Sequence, residues 1–448
     1  MRDLPAAWIA AAAGAELVAG GAAPGGAHRA VIDSRVVRPG DLFVGLTGKC
    51  SDGGAHAPEA LVDGAWGVLV TPDHAGRAAA SASPTGVVLS APDPLAAMQS
   101  LARAWRRELG CRVVGITGST GKTSTKDILA ALLTPELRAH RNRENLNTEI
   151  GLPLTMLEAP PRTEVLVLEM AMRGEGQIAE LVAIAEPDVG VIVNVGPVHL
   201  ELLGTVERVA AAKAELIRDL RVGASCVIPA RERLLDSHLR DDIDSITFGP
   251  GGEVMLLSFE RSVVGAGGVA EIEVRGRRVE LELSYSEAYN LLNTLAAVGA
   301  AHALGIRPSG RVEPRFSALR GKVVELPGGV TVVNDCYNAN PMSMRAALNS
   351  LSDAPARRRL ALLGEMAELG AGSGEFHREI GAQASALGID VLVTVGERAI
   401  GYIDGFDGES YSAATPEEAA GLLEEIAIPG DRVLVKGSRS AGLERVLA

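Results

Sequence analysis

Residues 113–123 read VVGITGSTGKT, a strand, a glycine turn and the start of a helix in eleven residues. Val113 to Thr117 form a continuous apolar run, the pattern of a strand buried on both faces. A glycine-rich turn follows, and a helix starts near Thr123. Gly118 and Gly121 let the backbone curl, so that N–H groups around Ser119 and Thr120 point inward at phosphate oxygens. Lys122 is placed to reach the β- and γ-phosphates of a nucleotide, and Thr123 to hold Mg²⁺ through its hydroxyl. The common phosphate-loop pattern wants a glycine where Ile116 stands, so this loop is one step away from it.

Outward from the loop, apolar runs at 165–168 and 189–193 repeat the strand signal with helical segments between them. That is the βαβ rhythm of a parallel sheet. Residues 1–108 read as a small α/β unit, with strands at 42–44 and 67–70 and a helix over 94–109. From 249 to 284 the pattern alternates, with Val279, Leu281 and Leu283 facing one way, which predicts antiparallel strands appended to the central sheet. A helix over 287–304 and a Pro/Gly-containing linker over 306–314 follow. After 315 the rhythm restarts, with strands at 330–333, 360–363, 391–395 and 433–435 and helices near 342–352, 375–387 and 415–427. The expected architecture is therefore α/β in three domains: a small unit at 1–108, a P-loop-type parallel sheet at 109–314, and a Rossmann-like doubly wound sheet at 315–448.

Composition narrows the function. Of 448 residues 47% are hydrophobic and 22% charged, which excludes a disordered chain. A net charge of −13 and only 3% aromatics argue against nucleic acid and anionic membranes as partners. Cys50, Cys111, Cys226 and Cys336 are far apart with no CxxC pair, so reduced cytoplasmic thiols fit better than a zinc ribbon or a disulfide scaffold. The apolar segment from Ala6 to Ala15 lacks a positive leader and runs into Glu16, which predicts a first amphipathic helix, not a signal peptide. No apolar run reaches the roughly 18 residues of a membrane span.

Glu169 and His199 follow two of the parallel strands and would project at their carboxyl edge, where open α/β sheets bind ligands. Carboxylate and imidazole suit Mg²⁺ or Mn²⁺. Lys213 lies on the next helix. An ammonium beside a cation is repulsive, so by itself Lys213 reads as a solvated helix residue.

Together these residues resemble the Mur ligase family, ATP-dependent amide-bond ligases of peptidoglycan precursor synthesis. TGSTGKT at 117–123, LEM at 168–170, NVGPVHLE at 194–201 and AAKAEL at 211–216 match the family's central segments in order and spacing. DSRVVRPGDLFVGLTGKCSDG at 33–53, NDCYNANPMSMRAAL at 334–348, LGEMAELG at 363–370 with His377, and LVKGSR at 434–439 look most like the member that joins D-alanyl-D-alanine to UDP-MurNAc-tripeptide. The resemblance implies ATP and Mg²⁺, as one ion or two, and makes Lys213 a candidate for carbamylation, which would turn a cation into an anionic oxygen ligand. It implies a catalytic set of Lys122, His199, Lys213 and Arg320, and a metal set of Thr123, Glu169, His199 and Lys213. ATP contacts would come from 118–123, Asn290, Asn293, Arg320 and Asp335. Substrate contacts would come from Ser34, Arg35, Asn147, Thr148, Tyr337, Asn338 and Asn340, in a cytoplasmic monomer. Glu365, Glu368 and Lys436 are either further substrate contacts or ordinary surface charge.

The chain departs from the family pattern at Tyr289, where a His is usual, at Lys322, where a Glu is usual, and at Thr148, where a second Asn is common. These touch contacts rather than the phosphate and metal core. The motifs leave the third residue of the peptide, L-lysine or diaminopimelate, open. The rival readings are a sister ligase adding a single amino acid, a folylpolyglutamate synthase, a P-loop switch or motor, and a silent homologue used for binding. The 33–53 and YNANP segments disfavour the first two, the 33–53 segment and the His199–Lys213 cluster disfavour the switch or motor, and retention of Lys122, Thr123, Glu169, His199 and Lys213 disfavours the last.

Overall fold

Three sheets organise the chain. The computed structural model describes residues 1, 3–48, 51–143, 145–263, 267–317 and 319–447, so Cys50 lies outside the described residues.

The first sheet has five strands in the order Glu16–Ala19, Val87–Ser90, Gly67–Val70, Leu42–Val44 and Ala30–Val31. All pair in parallel except Glu16–Ala19. The helix Pro94–Leu109 begins where Asp93 accepts hydrogen bonds from the amides of Leu95 (2.9 Å) and Ala96 (3.1 Å), and it ends at Gly110 with φ 61°. Such a cap contributes roughly 1 kcal/mol, and the left-handed end favours glycine. Ala97, Met98, Leu101, Ala102 and Trp105 recur at helical spacing and are buried. The same helix packs on Ala6–Ala13 behind it and on Gly151–Glu158 and Gln177–Ala185 ahead of it. One core therefore runs from Ile9 and Leu42 through Leu101 to Leu152 and Leu168, and the first two units share it.

The central sheet has ten strands. Its parallel part runs Asp244–Phe248, Ser225–Pro229, Val189–Ile192, Arg112–Thr117, Val165–Glu169 and Ala139–Arg141. Chain order reverses around Arg112–Thr117, which has Val165–Glu169 on one side and Val189–Ile192 on the other. This is the topological switch point, where open α/β sheets leave a crevice at the strand carboxyl ends. The apolar runs fill it as expected: Val113, Val114 and Ile116 are fully buried.

Val254–Arg261, Gly268–Val274 and Arg277–Leu283 extend the sheet in antiparallel register, and Val279, Leu281 and Leu283 form the buried face. The expected linker is partly a strand: Gly310–Val312 pairs in parallel with Leu281–Leu283. Its three residues are too few to give a periodic signal, so only the pairing reveals it.

The third sheet has six strands, Lys322–Leu326, Val330–Asn334, Arg432–Lys436, Arg359–Gly364, Val391–Val395 and Glu409–Ala413, parallel but for the first. Helices Pro341–Asp353, Ser373–Ala386 and Pro416–Ile426 cover it. The chain is an α/β protein of three domains. No helix among the described residues is long and apolar enough to cross a membrane.

Candidate active site

The phosphate loop leaves Arg112–Thr117 and enters the helix Lys122–Leu133 through Gly121, at φ 78°. A Cβ at Gly121 would stand 2.5 Å from Asn293 Oδ1, and one at Gly118 3.0 Å from Val193 Cβ, so both positions need glycine. The amides of Ser119 (3.1 Å) and Thr120 (2.9 Å) both donate to Asn194 Oδ1. Asn194 returns a bond from Nδ2 to Thr120 O at 3.1 Å. This modifies the expectation that Ser119 and Thr120 offer N–H groups to phosphate. Among the described residues the amides of Gly121, Lys122 and Thr123 have no partner, and they are the ones left for an anion at the helix N-terminus.

Lys122 Nζ donates to Gly118 O at 2.8 Å. Burial lowers its pKa, Arg320 adds to this, and Glu169 opposes both. Arg320 stacks 4.1 Å above the Tyr337 ring, and its Nε is buried without a partner among the described residues. A half-buried guanidinium with an unsatisfied Nε, electrostatically coupled to Lys122 and Glu169, fits a phosphoryl group.

On the metal side, the strand runs one residue further than expected, so Glu169 is its last residue, and it is buried. Its Oε2 accepts from Thr123 Oγ1 at 2.7 Å and its Oε1 from Asn147 Nδ2 at 2.9 Å. Burial raises the Glu169 carboxyl, but Lys122, Arg320, Lys126 and the Thr123 hydroxyl outweigh it and hold the group below its ordinary range. Asn147, expected on substrate, is thus also a holder of Glu169.

Lys213 is 2% exposed on the helix Val206–Asp219. Burial, with Lys122 nearby, drives its pKa well below the usual value, and it has no carboxylate partner among the described residues. The solvated reading of Lys213 is therefore wrong: the apolar half of its helix faces inward.

His199, at φ 54°, hydrogen-bonds through Nδ1 to Glu368 of the third sheet's unit. No three His, Cys, Asp or Glu side chains converge among the described residues. The donors present, a Thr hydroxyl, a carboxylate and an imidazole, suit Mg²⁺, and Lys213 joins them only as a carbamate.

The last unit closes the cleft. Asn340 caps the helix Pro341–Asp353, and its Nδ2 donates to Ser119 O at 3.4 Å. It is buried, so it serves helix and loop rather than standing open to a substrate. Asn338 is exposed in the cleft and Tyr337 half-buried under Arg320. Lys436 is a buried strap, with Nζ 2.6 Å from Asp335 Oδ2 and 3.0 Å from Asn338 O. Glu365 accepts from Ser440 Oγ at 2.8 Å. His377 is held neutral by burial: Nδ1 donates to Ser373 O at 2.6 Å and Nε2 accepts from the Met366 amide at 3.0 Å. These assemble a cleft of about 690 Å³ lined by Ser119, Lys122, Thr123, His199, Arg320, Tyr337, Asn338 and Asn340, with Glu368 at its rim.

Other expected residues lie apart. Asn290 and Asn293 are buried behind the loop turn, Asn293 against Gly121. Tyr289 and Asp335 line a small gap beside Gly321, where a Cβ would sit 3.3 Å from the Tyr289 hydroxyl. Thr148 is exposed. Ser34 opens a short 3-10 turn, and Arg35 is exposed and bound to Asp33, so neither lines the main cleft.

Sequence reasoning passed over Asn194 and Lys126. Asn194 follows the strand Val189–Ile192, as Glu169 ends the strand on the other side of Arg112–Thr117, a signal that was available. Lys126 is wholly buried, donates to Asn142 O at 2.8 Å and lies 4.0 Å from Glu169. A lysine on a helix gives no such hint in one dimension.

Residues 116–301 match the Mur ligase middle domain, and 319–439 the Mur ligase glutamate ligase domain. The chain is 32% identical over 430 residues to the UDP-N-acetylmuramoyl-tripeptide–D-alanyl-D-alanine ligase of Bacillus subtilis, covering 94% of this chain and 92% of that protein. To the enzyme of the same name from Synechocystis it is 34% identical, covering 93% and 90%. The MurF ligase of Thermotoga maritima, solved with ADP, superposes with a TM-score of 0.80 at 32% identity, covering 94% of this chain and 96% of that one. With a phosphate loop at the switch point and a third unit closing over it, the chain belongs to the Mur ligase family.

Proposed function

We propose that the chain joins D-alanyl-D-alanine to UDP-N-acetylmuramoyl-tripeptide, splitting ATP to ADP and phosphate. The observation that carries this is the single cleft in which the phosphate loop, Arg320 and the Tyr337–Asn340 segment of the last unit face one another. The terminal carboxylate of the UDP-linked peptide attacks the γ-phosphorus, ADP leaves, and an acyl phosphate forms. Lys122, Arg320 and the amides at 121–123 offset the charge gathering on the transferred group. The dipeptide amine then attacks the acyl carbon, and phosphate leaves from a tetrahedral intermediate with loss of one proton. Positioning supplies much of the acceleration, and closure of the last unit keeps water from the acyl phosphate.

Thr123, Glu169, His199 and a carbamylated Lys213 would hold Mg²⁺, as one ion or two, and the metal when bound neutralises phosphate oxygens. A neutral Lys213 amine, favoured by burial, is the form that can take up carbon dioxide. Asp335, Asn290 and Asn293 stand on the nucleotide side, Asn338 on the dipeptide side, and Ser34, Arg35 and Thr148 on the side of the UDP-linked substrate. Units divided at 1–108, 109–314 and 315–448 would carry uridine, ATP and dipeptide in turn. We read the chain as a cytoplasmic monomer acting on a soluble UDP-linked substrate, and the charge of −13 supports the absence of a nucleic-acid partner.

The test is phosphate release from ATP and Mg²⁺ with the tripeptide substrate, with and without D-alanyl-D-alanine. Release should need both and give a product heavier by the dipeptide less water. Release that ignores the dipeptide would overturn the assignment. Exchanging the lysine and diaminopimelate tripeptides in the same assay fixes the third residue.

A further inference from the structure

A second cleft, about 800 Å³, adjoins the first at Ser317 and lies where the first unit, the edge strand Ala139–Arg141 and the segment entering the third unit meet. Five arginines and two carboxylates line it, a local excess of positive charge on a chain of net −13. Three of these arginines are neutralised: Arg29 pairs with Asp41, Arg141 with Asp127 and Arg143 with Glu158. Arg38 and Arg315 are exposed and have no carboxylate partner among the described residues. Two guanidinium groups free of carboxylates, on a lining that also holds three paired ones, supply forked donors of the kind that match phosphoryl oxygens.

The cleft does not include the proposed uridine contacts: Ser34 and Arg35 follow the strand Ala30–Val31 and do not line it, whereas His28 and Arg29, which do, precede that strand. Asn147 and Thr148 lead into the helix Gly151–Glu158, and Glu158, which lines the second cleft, stands at that helix's other end. Eight helical residues separate the two by about 12 Å. The cleft also borders the connection to the third unit. Arg141 Nη2 donates to Arg315 O at 3.4 Å, and Asp127 Oδ2 accepts from both the amide (2.9 Å) and the hydroxyl (3.1 Å) of Ser317. A ligand on Arg315 therefore sits on the chain that leads to Arg320.

We propose that this cleft binds a chain of phosphoryl groups, borne by a free polyphosphate or by the diphosphate of a nucleotide. The volume suits a nucleotide-sized ligand, and the attraction weakens with salt because the free arginines are exposed.

The experiment titrates inorganic tripolyphosphate, in Mg²⁺-free low-salt buffer, into three full-length proteins: the unaltered chain, Arg38→Ala/Arg315→Ala, and Lys122→Ala/Arg320→Ala. Removing Arg38 and Arg315 breaks no side-chain ion pair, so that variant should fold, with circular dichroism as the check. Binding should persist in the phosphate-loop variant and weaken at least tenfold in the Arg38/Arg315 variant. Binding lost with Lys122 and Arg320 but kept without Arg38 and Arg315 overturns the proposal, as does no binding to the unaltered chain. Cytidine 5′-diphosphate titrated in parallel separates the sources: tighter binding than tripolyphosphate assigns the site to a nucleotide, weaker binding to polyphosphate.

Discussion

His199 and Glu368 meet across the cleft through a hydrogen bond, and both hold a left-handed backbone, at φ 54° and 63°. Neither is glycine, so each conformation costs of order 1 kcal/mol and persists only where its surroundings impose it. The Glu201 amide also donates to Glu368 O at 3.2 Å, and Arg173 lies 3.6 Å from the Glu368 carboxylate. The two central and terminal units are latched at this point, beside the proposed metal ligand.

Glu368→Gln should loosen the latch. The hydrogen bond from His199, against a smaller cost of burial, holds the Glu368 carboxyl below its ordinary range. A depressed carboxyl contributes stability above its unfolded value of 4.5 and loses it as pH falls through the folded value. The unaltered protein should therefore expand below about pH 4.5 by small-angle scattering, and the variant should be expanded at neutral pH. Identical scattering of the two at pH 7 would remove the latch.

Lys213→Met should abolish ligation yet stabilise the fold. With a folded pKa below 10.5, the unfolded chain binds more protons at Lys213, so this burial costs increasingly more as pH falls from 10.5. In bicarbonate-free buffer the variant's melting temperature should exceed the parent's by about 2–4 °C, the shift ~1 kcal/mol gives a domain of this size, and the gap should widen from pH 9 to pH 7. A lower melting temperature at both pH values would contradict the buried-amine reading.

Lys122→Ala should remove ADP formation by about 10²-fold or more while circular dichroism stays unchanged, because one preorganised donor to a developing anion is worth that much. Activity within a few-fold of the parent would sink the phosphate-loop assignment.

Asn338→Ala should raise the KM for D-alanyl-D-alanine about tenfold, the ~1.4 kcal/mol expected for a lost polar contact, with the KM for ATP little changed. Asn338 is the exposed member of its motif, whereas Asn340 is tied to the helix it caps. Equal effects on both constants would take Asn338 out of the dipeptide site.

The layered α/β fold is written in local patterning. Buried parallel strands must be apolar throughout, so Val113–Ile116, Val165–Leu168 and Val189–Ile192 announce themselves within a few residues. The phosphate loop was equally local: strand, glycine turn, lysine and helix lie within one short window, with the helix starting one residue earlier than expected, at Lys122. How these parts are used emerges only from packing. It turned the Ser119 and Thr120 amides to Asn194, set Asn147 on Glu169, buried Lys213 and Lys126, and made Asn340 and Lys436 fasteners of the last unit. It also showed that the first two units share a core through Pro94–Leu109 and that Gly310–Val312 is a strand. The reason is separation along the chain. Ser119 and Asn340 are 221 residues apart and His199 and Glu368 are 169 apart, so no periodicity or propensity records those meetings. They exist only once the sheets have packed and the side chains' hydrogen-bonding needs are met by whatever the fold brings near.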